Sequence, residues 1–211
     1  MLEDIFTEIS LHMRTDPDRI IALLDSIGGF TEMGLQAENI PPMYHKKYGR
    51  KIKLMSRRKW IETMNVWHLL DAKSINALVT TIKEWGNVKM VEIGAGMGFL
   101  AYFLRHYGLD VIATDDYSWM KDKTPYTEVL KMNYEESLIK YNPDVLIVCW
   151  GASPIPIELF KGEYYIYIGE LPGGCTDGYP NDEWKIIKEI EMPCFYGIND
   201  ENIIIFERIQ K

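Results

Sequence analysis

The stretch Val88-Lys89-Met90-Val91-Glu92-Ile93-Gly94-Ala95-Gly96-Met97-Gly98-Phe99-Leu100 constrains the fold more than any other part of the chain. Its first half is a short apolar run with β-branched residues, the pattern of a buried strand. Three alternating glycines follow, Gly94, Gly96 and Gly98. Phe99, Leu100, Tyr102, Phe103 and Leu104 then give a helix-like apolar face, which Gly108 closes as a C-cap. Strand, glycine turn and helix in that order bring backbone N–H groups close to a ligand. A dinucleotide fingerprint, G-x-G-x-x-G, would place its third glycine at Phe99. The spacing here is E-x-G-x-G-x-G, with Glu92 two residues ahead of the first glycine.

The segment Glu92-Ile93-Gly94-Ala95-Gly96-Met97-Gly98 resembles the first motif of class I S-adenosylmethionine-dependent methyltransferases. That resemblance implies a Rossmann-like α/β fold, with a mostly parallel seven-stranded sheet and an antiparallel C-terminal strand. It implies that the turn around Gly94, Ala95, Gly96 and Gly98 lies against the methionine and ribose parts of S-adenosyl-L-methionine. It also implies that Glu92 helps to orient the methionine end.

Length and composition fit one such domain with an extension. The chain has 211 residues, against about 100–200 for a typical domain. A chain of this size can bury roughly 70% of its unfolded surface and needs no covalent staples. Apolar residues at 47% and charged residues at 26% are ordinary globular usage, which excludes a disordered or fibrous class. A net charge of −8 argues against broad non-specific nucleic-acid binding. Cys149, Cys175 and Cys194 form no C-x-x-C pair, so neither a disulfide framework nor a zinc site is expected, and the setting reads as reducing and cytoplasmic. No signal peptide and no membrane-spanning run is read in the sequence.

Residues 1–72 read as a helical N-terminal extension or lid, and residues 73–211 as the cofactor-binding core. In the extension, Ile5, Phe6, Ile9 and Met13 share a helical face, and a second helix starts at Asp16-Pro17. Residues 46–59 are rich in Lys and Arg with no acid, and Tyr44, Tyr48 and Trp60 are interleaved or adjacent. This stretch is either a solvated face or a contact for an anionic or nucleic-acid partner. Asp71 is placed to cap a helix carrying Ile75, Leu78, Val79 and Ile82. The resemblance implies that the segment before this helix roofs the cofactor pocket, so Trp67 and His68 are pocket candidates, with His68 a candidate base.

Downstream of Gly108, a second strand over 110–114 ends at Asp115-Asp116. A carboxylate there can accept both hydroxyls of a ribose. Both NAD and S-adenosylmethionine carry that ribose, so the acid alone does not separate them. Asp115 is the first choice, with Asp116 the alternative ligand or a cap. A third strand over 128–132 leads into Asn133 and Tyr134. The resemblance implies adenine recognition here, where the amide of Asn133 stands in place of the family's usual acid and Tyr134 is placed for the ring face. A fourth strand, Asn142 to Trp150, brings Cys149 and Trp150 to the position the family uses around the transferred methyl. The Asp/Asn/Ser-Pro-Pro-Tyr/Phe motif of amino methyltransferases acting on nucleic acids is absent. A fifth strand over 163–168 opens into a polar loop, where Glu170, Thr176 and Asp177 are the substrate-contact candidates or part of a surface turn. Residues 182–190 read as a helix, and residues 194–198 and 202–208 as a terminal hairpin. The candidate catalytic groups are Glu170, Asp116 and His68. The reading is therefore a methyltransferase using S-adenosyl-L-methionine. A non-catalytic binding module of the same fold and an NAD-dependent oxidoreductase are the alternatives.

Overall fold

A computed structural model of the chain describes residues 2–25, 60–119, 123–151, 154–170, 176–192 and 201–209. Helix α1 spans Leu2–His12, α2 Ala72–Glu84, α3 Phe99–His106 and α4 Tyr134–Tyr141. The strands are β1 Met90–Ile93, β2 Val111–Asp115, β3 Leu130–Lys131, β4 Val145–Cys149, β5 Tyr164–Glu170, β6 Trp184–Glu191 and β7 Glu201–Arg208. Residues 17–25 and 60–64 are also helical.

The seven strands form one sheet in the order β3-β2-β1-β4-β5-β7-β6. The pairs β1–β2, β1–β4, β2–β3 and β4–β5 are parallel. β7 runs antiparallel to both β5 and β6. An antiparallel strand wedged between the fifth and sixth positions sets this sheet apart from a dinucleotide sheet, whose order is 3-2-1-4-5-6. The chain thus has the Rossmann-like methyltransferase fold anticipated from its glycine turn.

The central strands β1, β4 and β5 are buried on both faces, and their side chains sort by period two. In β4, Val145, Ile147 and Cys149 join the larger core cluster, while Leu146 and Val148 join the smaller one. Ile166 and Ile168 of β5 follow the first set, and Tyr165 and Tyr167 the second. The larger cluster holds α2, α3 and the described N-terminal helices, through Ile9, Met13, Ile20, Leu24 and Trp60. Burial of each large aliphatic side chain contributes roughly 1.5–3 kcal/mol, and this shared interior fastens the extension to the sheet.

Local chemistry sets the helix ends. Asp71 accepts the Ser74 N–H at 2.7 Å, and Ser74 reciprocates on the Asp71 N–H, which closes a capping box on α2. Gly108, at φ +82°, follows α3, and the Leu109 N–H reaches back to the Leu104 carbonyl at 3.0 Å.

The expectations change in three places. Residues 184–191 are strand β6 and not a helix, because β7 offers a ladder along their whole length. The first arm of the terminal hairpin is therefore β6, and residues 194–198 lie outside the described residues. The third strand is only Leu130–Lys131, paired to Thr114 and Asp115. The basic stretch 46–59 also lies outside the described residues.

Candidate functional site

β1, β2 and β4 end at the same edge of the sheet, and the crevice beyond those carboxyl ends is where open α/β sheets bind ligands. Here it is a cavity of about 1090 Å³. Small-molecule sites commonly enclose roughly 300–1,000 Å³, so this space is large enough for a cofactor and a second, smaller molecule.

The glycine turn forms one wall. Gly94, Gly96 and Gly98 all have positive φ, at +63°, +53° and +69°. A Cβ at Gly94 would meet the Tyr134 hydroxyl at 2.9 Å, and one at Gly98 would meet Val129 Cγ2 at 2.8 Å. Gly96 has nothing within 4 Å of that position and borders the open cavity. The turn satisfies its own donors. The Ala95 N–H bonds the Thr114 carbonyl at 2.9 Å, the Gly98 N–H bonds the Ala95 carbonyl at 2.8 Å, and the Gly96 N–H bonds Asp115 Oδ2 at 2.9 Å.

Asp115 ends β2 as anticipated. Its other oxygen, Oδ1, accepts the Tyr117 N–H at 2.7 Å. Each carboxylate oxygen keeps a further lone pair for a ligand hydroxyl. Burial raises the Asp115 carboxyl above its ordinary value, against the pull of those two N–H donors. Asp116 differs: it is exposed, and its bonds to Ser118 hold its carboxyl below the ordinary range. Asn133 lines the cavity, but its Oδ1 already accepts the Glu136 N–H at 2.9 Å as the cap of α4. Tyr134 packs its hydroxyl over Gly94.

Glu92 is a strongly perturbed group in the turn's wall. It is 1% exposed, lines the cavity, and its Oε2 has no hydrogen-bond partner among the described residues. Burial pushes its carboxyl up to about 8, opposed by the Arg105 charge and by the Ala101 N–H. That N–H belongs to the first turn of α3, which has no side-chain cap of its own. Arg105 is fixed by bonds to the Val111 carbonyl and to Thr127.

On the far side, His68 Nδ1 lies 3.2 Å from Cys149 Sγ, a contact between residues 81 positions apart that no local motif signals. Burial holds the imidazole down to about 3 and the thiol well above its ordinary value, so both groups are neutral at pH 7. Trp60 fixes this segment by donating its indole N–H to the His68 carbonyl at 3.2 Å. Next to it Trp67 stacks on Trp150, with centroids 6.2 Å apart and planes at 19°.

Of the candidate site residues named from the sequence, Gly98, Glu170, Thr176 and Asp177 do not line the cavity. Gly98 packs under Val129 and Thr127. Glu170 is buried at the end of β5, where its backbone N–H meets Thr176 Oγ1 at 3.0 Å. The sequence reading missed Trp119, Lys123, Glu135 and Glu158, all of which line the space. Trp119 carried a signal in its place four residues after Asp115; the others lie on connections with no motif.

No protein-family description matches the chain, and no curated protein matches it in sequence. Solved structures similar to it include magnesium protoporphyrin IX methyltransferase from Synechocystis PCC 6803 with bound S-adenosylmethionine. That pair is 15% identical over 64% of this chain and 78% of the other, with a TM-score of 0.45. The 1,6-didemethyltoxoflavin-N1-methyltransferase of Burkholderia thailandensis is 10% identical over 81% and 91%, with a TM-score of 0.44. TehB from Haemophilus influenzae is 14% identical over 73% and 67%, with a TM-score of 0.43. The class itself, a Rossmann-like methyltransferase fold, is defined by the strand order.

Proposed function

We propose that this chain is an S-adenosylmethionine-dependent methyltransferase. The observation that carries the reading is the charge of the cavity. Asp115, Asp116, Glu135 and Glu158 line it, Glu92 lines it as a protonated acid that a cation would ionise, and Lys123 is the one cation among the described lining residues. Lys123 is itself engaged by Asn65. Such a lining favours a cation, and a sulfonium with an ammonium group is one. It opposes a dinucleotide, whose pyrophosphate needs free N–H donors, and the Ala95, Gly96 and Gly98 donors are turned inwards. The wedged β7 argues against the oxidoreductase reading in the same direction.

The residues fit the cofactor by their chemistry. Glu92 Oε2 would receive the ammonium group, and Asp115 the ribose hydroxyls. Tyr134 and Asn133 would border the base. Gly96 leaves the space that a side chain would fill. When bound, the cofactor supplies a methyl group already activated by positive sulfur. The protein's contribution is then alignment and exclusion of water. His68 and Cys149, both neutral, form a floor that holds the acceptor without drawing charge from it.

Calorimetric titration with S-adenosylmethionine, S-adenosylhomocysteine and NAD tests the reading. Binding of the first two and none of NAD is expected. Binding of NAD alone would overturn it. Transfer of labelled methyl into cell-extract fractions separates an enzyme from a binding module.

A further inference from the structure

The cavity holds more than a cofactor needs, and what lies around the excess is aromatic. Trp67 and Trp150 stack into one flat wall. Trp150 is held at φ +55°, a conformation rare for a side chain of this size, and the fold keeps it there at the mouth of β4. Trp67 is 49% exposed and Trp119 80% exposed, although both line the cavity. Large exposed rings facing a cavity mark a binding surface for another flat ring.

The charge and proton inventory narrows the class. The exposed carboxylates Asp116, Glu135 and Glu158 repel an anionic acceptor. At the floor, His68 is held at about 3 and is too weak a base to take a proton at pH 7. The Cys149 thiol keeps its proton. Neither His68 nor Cys149 can take a proton from a nucleophile at that floor. A ring nitrogen with an available lone pair needs no such base.

Resting on the methyltransferase reading, we propose that the acceptor is a planar heteroaromatic molecule, neutral before reaction, which stacks on Trp67–Trp150 and is methylated at a ring nitrogen. The nitrogen lone pair forms the new N–CH3 bond. The C–S bond breaks and its electron pair returns to sulfur, giving the neutral thioether. No proton is transferred, and the positive charge passes from sulfur to the ring. The cationic product then sits among carboxylates and indole faces, both of which favour it.

The test uses the full chain saturated with S-adenosylhomocysteine, with tryptophan fluorescence as the readout. The probes are isoquinoline, 2-naphthol, 1-naphthoate and cyclohexylamine. Isoquinoline should quench and saturate, 1-naphthoate and cyclohexylamine should bind at least tenfold more weakly, and Trp67→Ala should weaken isoquinoline about tenfold. The affinity of that variant for S-adenosylhomocysteine should stay at the wild-type value, which reports an intact fold. With labelled S-adenosylmethionine, isoquinoline should gain the methyl group and 2-naphthol should not. Equal or tighter binding of 1-naphthoate, methylation of 2-naphthol alone, or wild-type isoquinoline binding by Trp67→Ala would each overturn the proposal. Failure of S-adenosylhomocysteine to bind at all would overturn the parent reading, and this one with it.

Discussion

Replacing Glu92 with Gln should make the protein more stable and less able to bind its cofactor, and the gain should grow with pH. The ordinary carboxyl value of 4.5 is raised to about 8 in the folded chain, with burial the main cause. Below 4.5, folded and unfolded chains both carry the proton, and the folded state has its full stability. Between 4.5 and about 8 the unfolded chain gives up the proton while the folded one keeps it, so stability falls as pH rises. At about 1.36 kcal/mol per pH unit, the loss reaches up to about 5 kcal/mol and is complete above about 8. Gln has no proton to lose, and its amide oxygen can still accept the Ala101 N–H. Urea unfolding without ligand, at pH 5, 7 and 9, measures the difference. The two proteins should be close at pH 5, with the variant ahead by several kcal/mol at pH 9. A pH-independent difference, or a less stable variant at pH 9, would refute the reasoning. Cofactor binding gives a second readout. An ammonium partner converts Glu92 to its carboxylate, so wild type should release a proton on binding at pH 7, read from calorimetry in buffers of different ionisation enthalpy. The variant should bind more weakly, without release.

Asp115→Ala should weaken cofactor binding by about 1.5–3 kcal/mol, the usual scale for hydrogen bonds to a charged group; Asp116→Ala should do much less, and calorimetry showing the reverse order would move the ribose contact by one residue. Gly96→Val should abolish cofactor binding while circular dichroism stays that of a folded protein, because its side chain enters the open cavity and the +53° φ strains a β-branched residue in the turn; unchanged affinity would take the turn out of the site. If residues 46–59 hold an anionic partner, replacing Arg57, Arg58 and Lys59 with Gln should weaken binding of labelled single-stranded RNA and flatten its salt dependence, with cofactor affinity unchanged; anisotropy at two salt concentrations measures it, and equal binding by both proteins makes the stretch a solvated face.

What the sequence disclosed and what it hid follow one division. The glycine turn, Asp115 and the Asp71 cap were legible because each is a local device, in which neighbouring residues settle the geometry. β6 was not. Its apolar residues Trp184, Ile187 and Ile190 recur every third position, which mimics a helix. In the fold it is an edge strand with a register shift between Ile186 and Lys188, which breaks the alternation a strand would show. Its lysines suit an edge that must not recruit another strand. The His68–Cys149 contact was hidden for a different reason. Nothing in either neighbourhood points to the other, and only closure of the sheet against the segment behind Trp60 brings them together.

That segment bears on how far the chain can be shortened. Trp60 packs edge-on against Phe99, the first residue of the helix after the glycine turn, with centroids 5.8 Å apart. Tyr126 gives its hydroxyl proton to the Met64 carbonyl at 2.7 Å and its N–H to the Met97 carbonyl at 2.8 Å, tying the segment to the turn itself. Asp25 accepts the first N–H of α2 at 2.9 Å. A protein trimmed to residues 73–211 would keep every motif by which the fold is known. It would lose the other half of the wall those motifs stand against, and with it the Trp60 contact on Phe99, the Met64 carbonyl that holds Tyr126 and the Asp25 cap of α2.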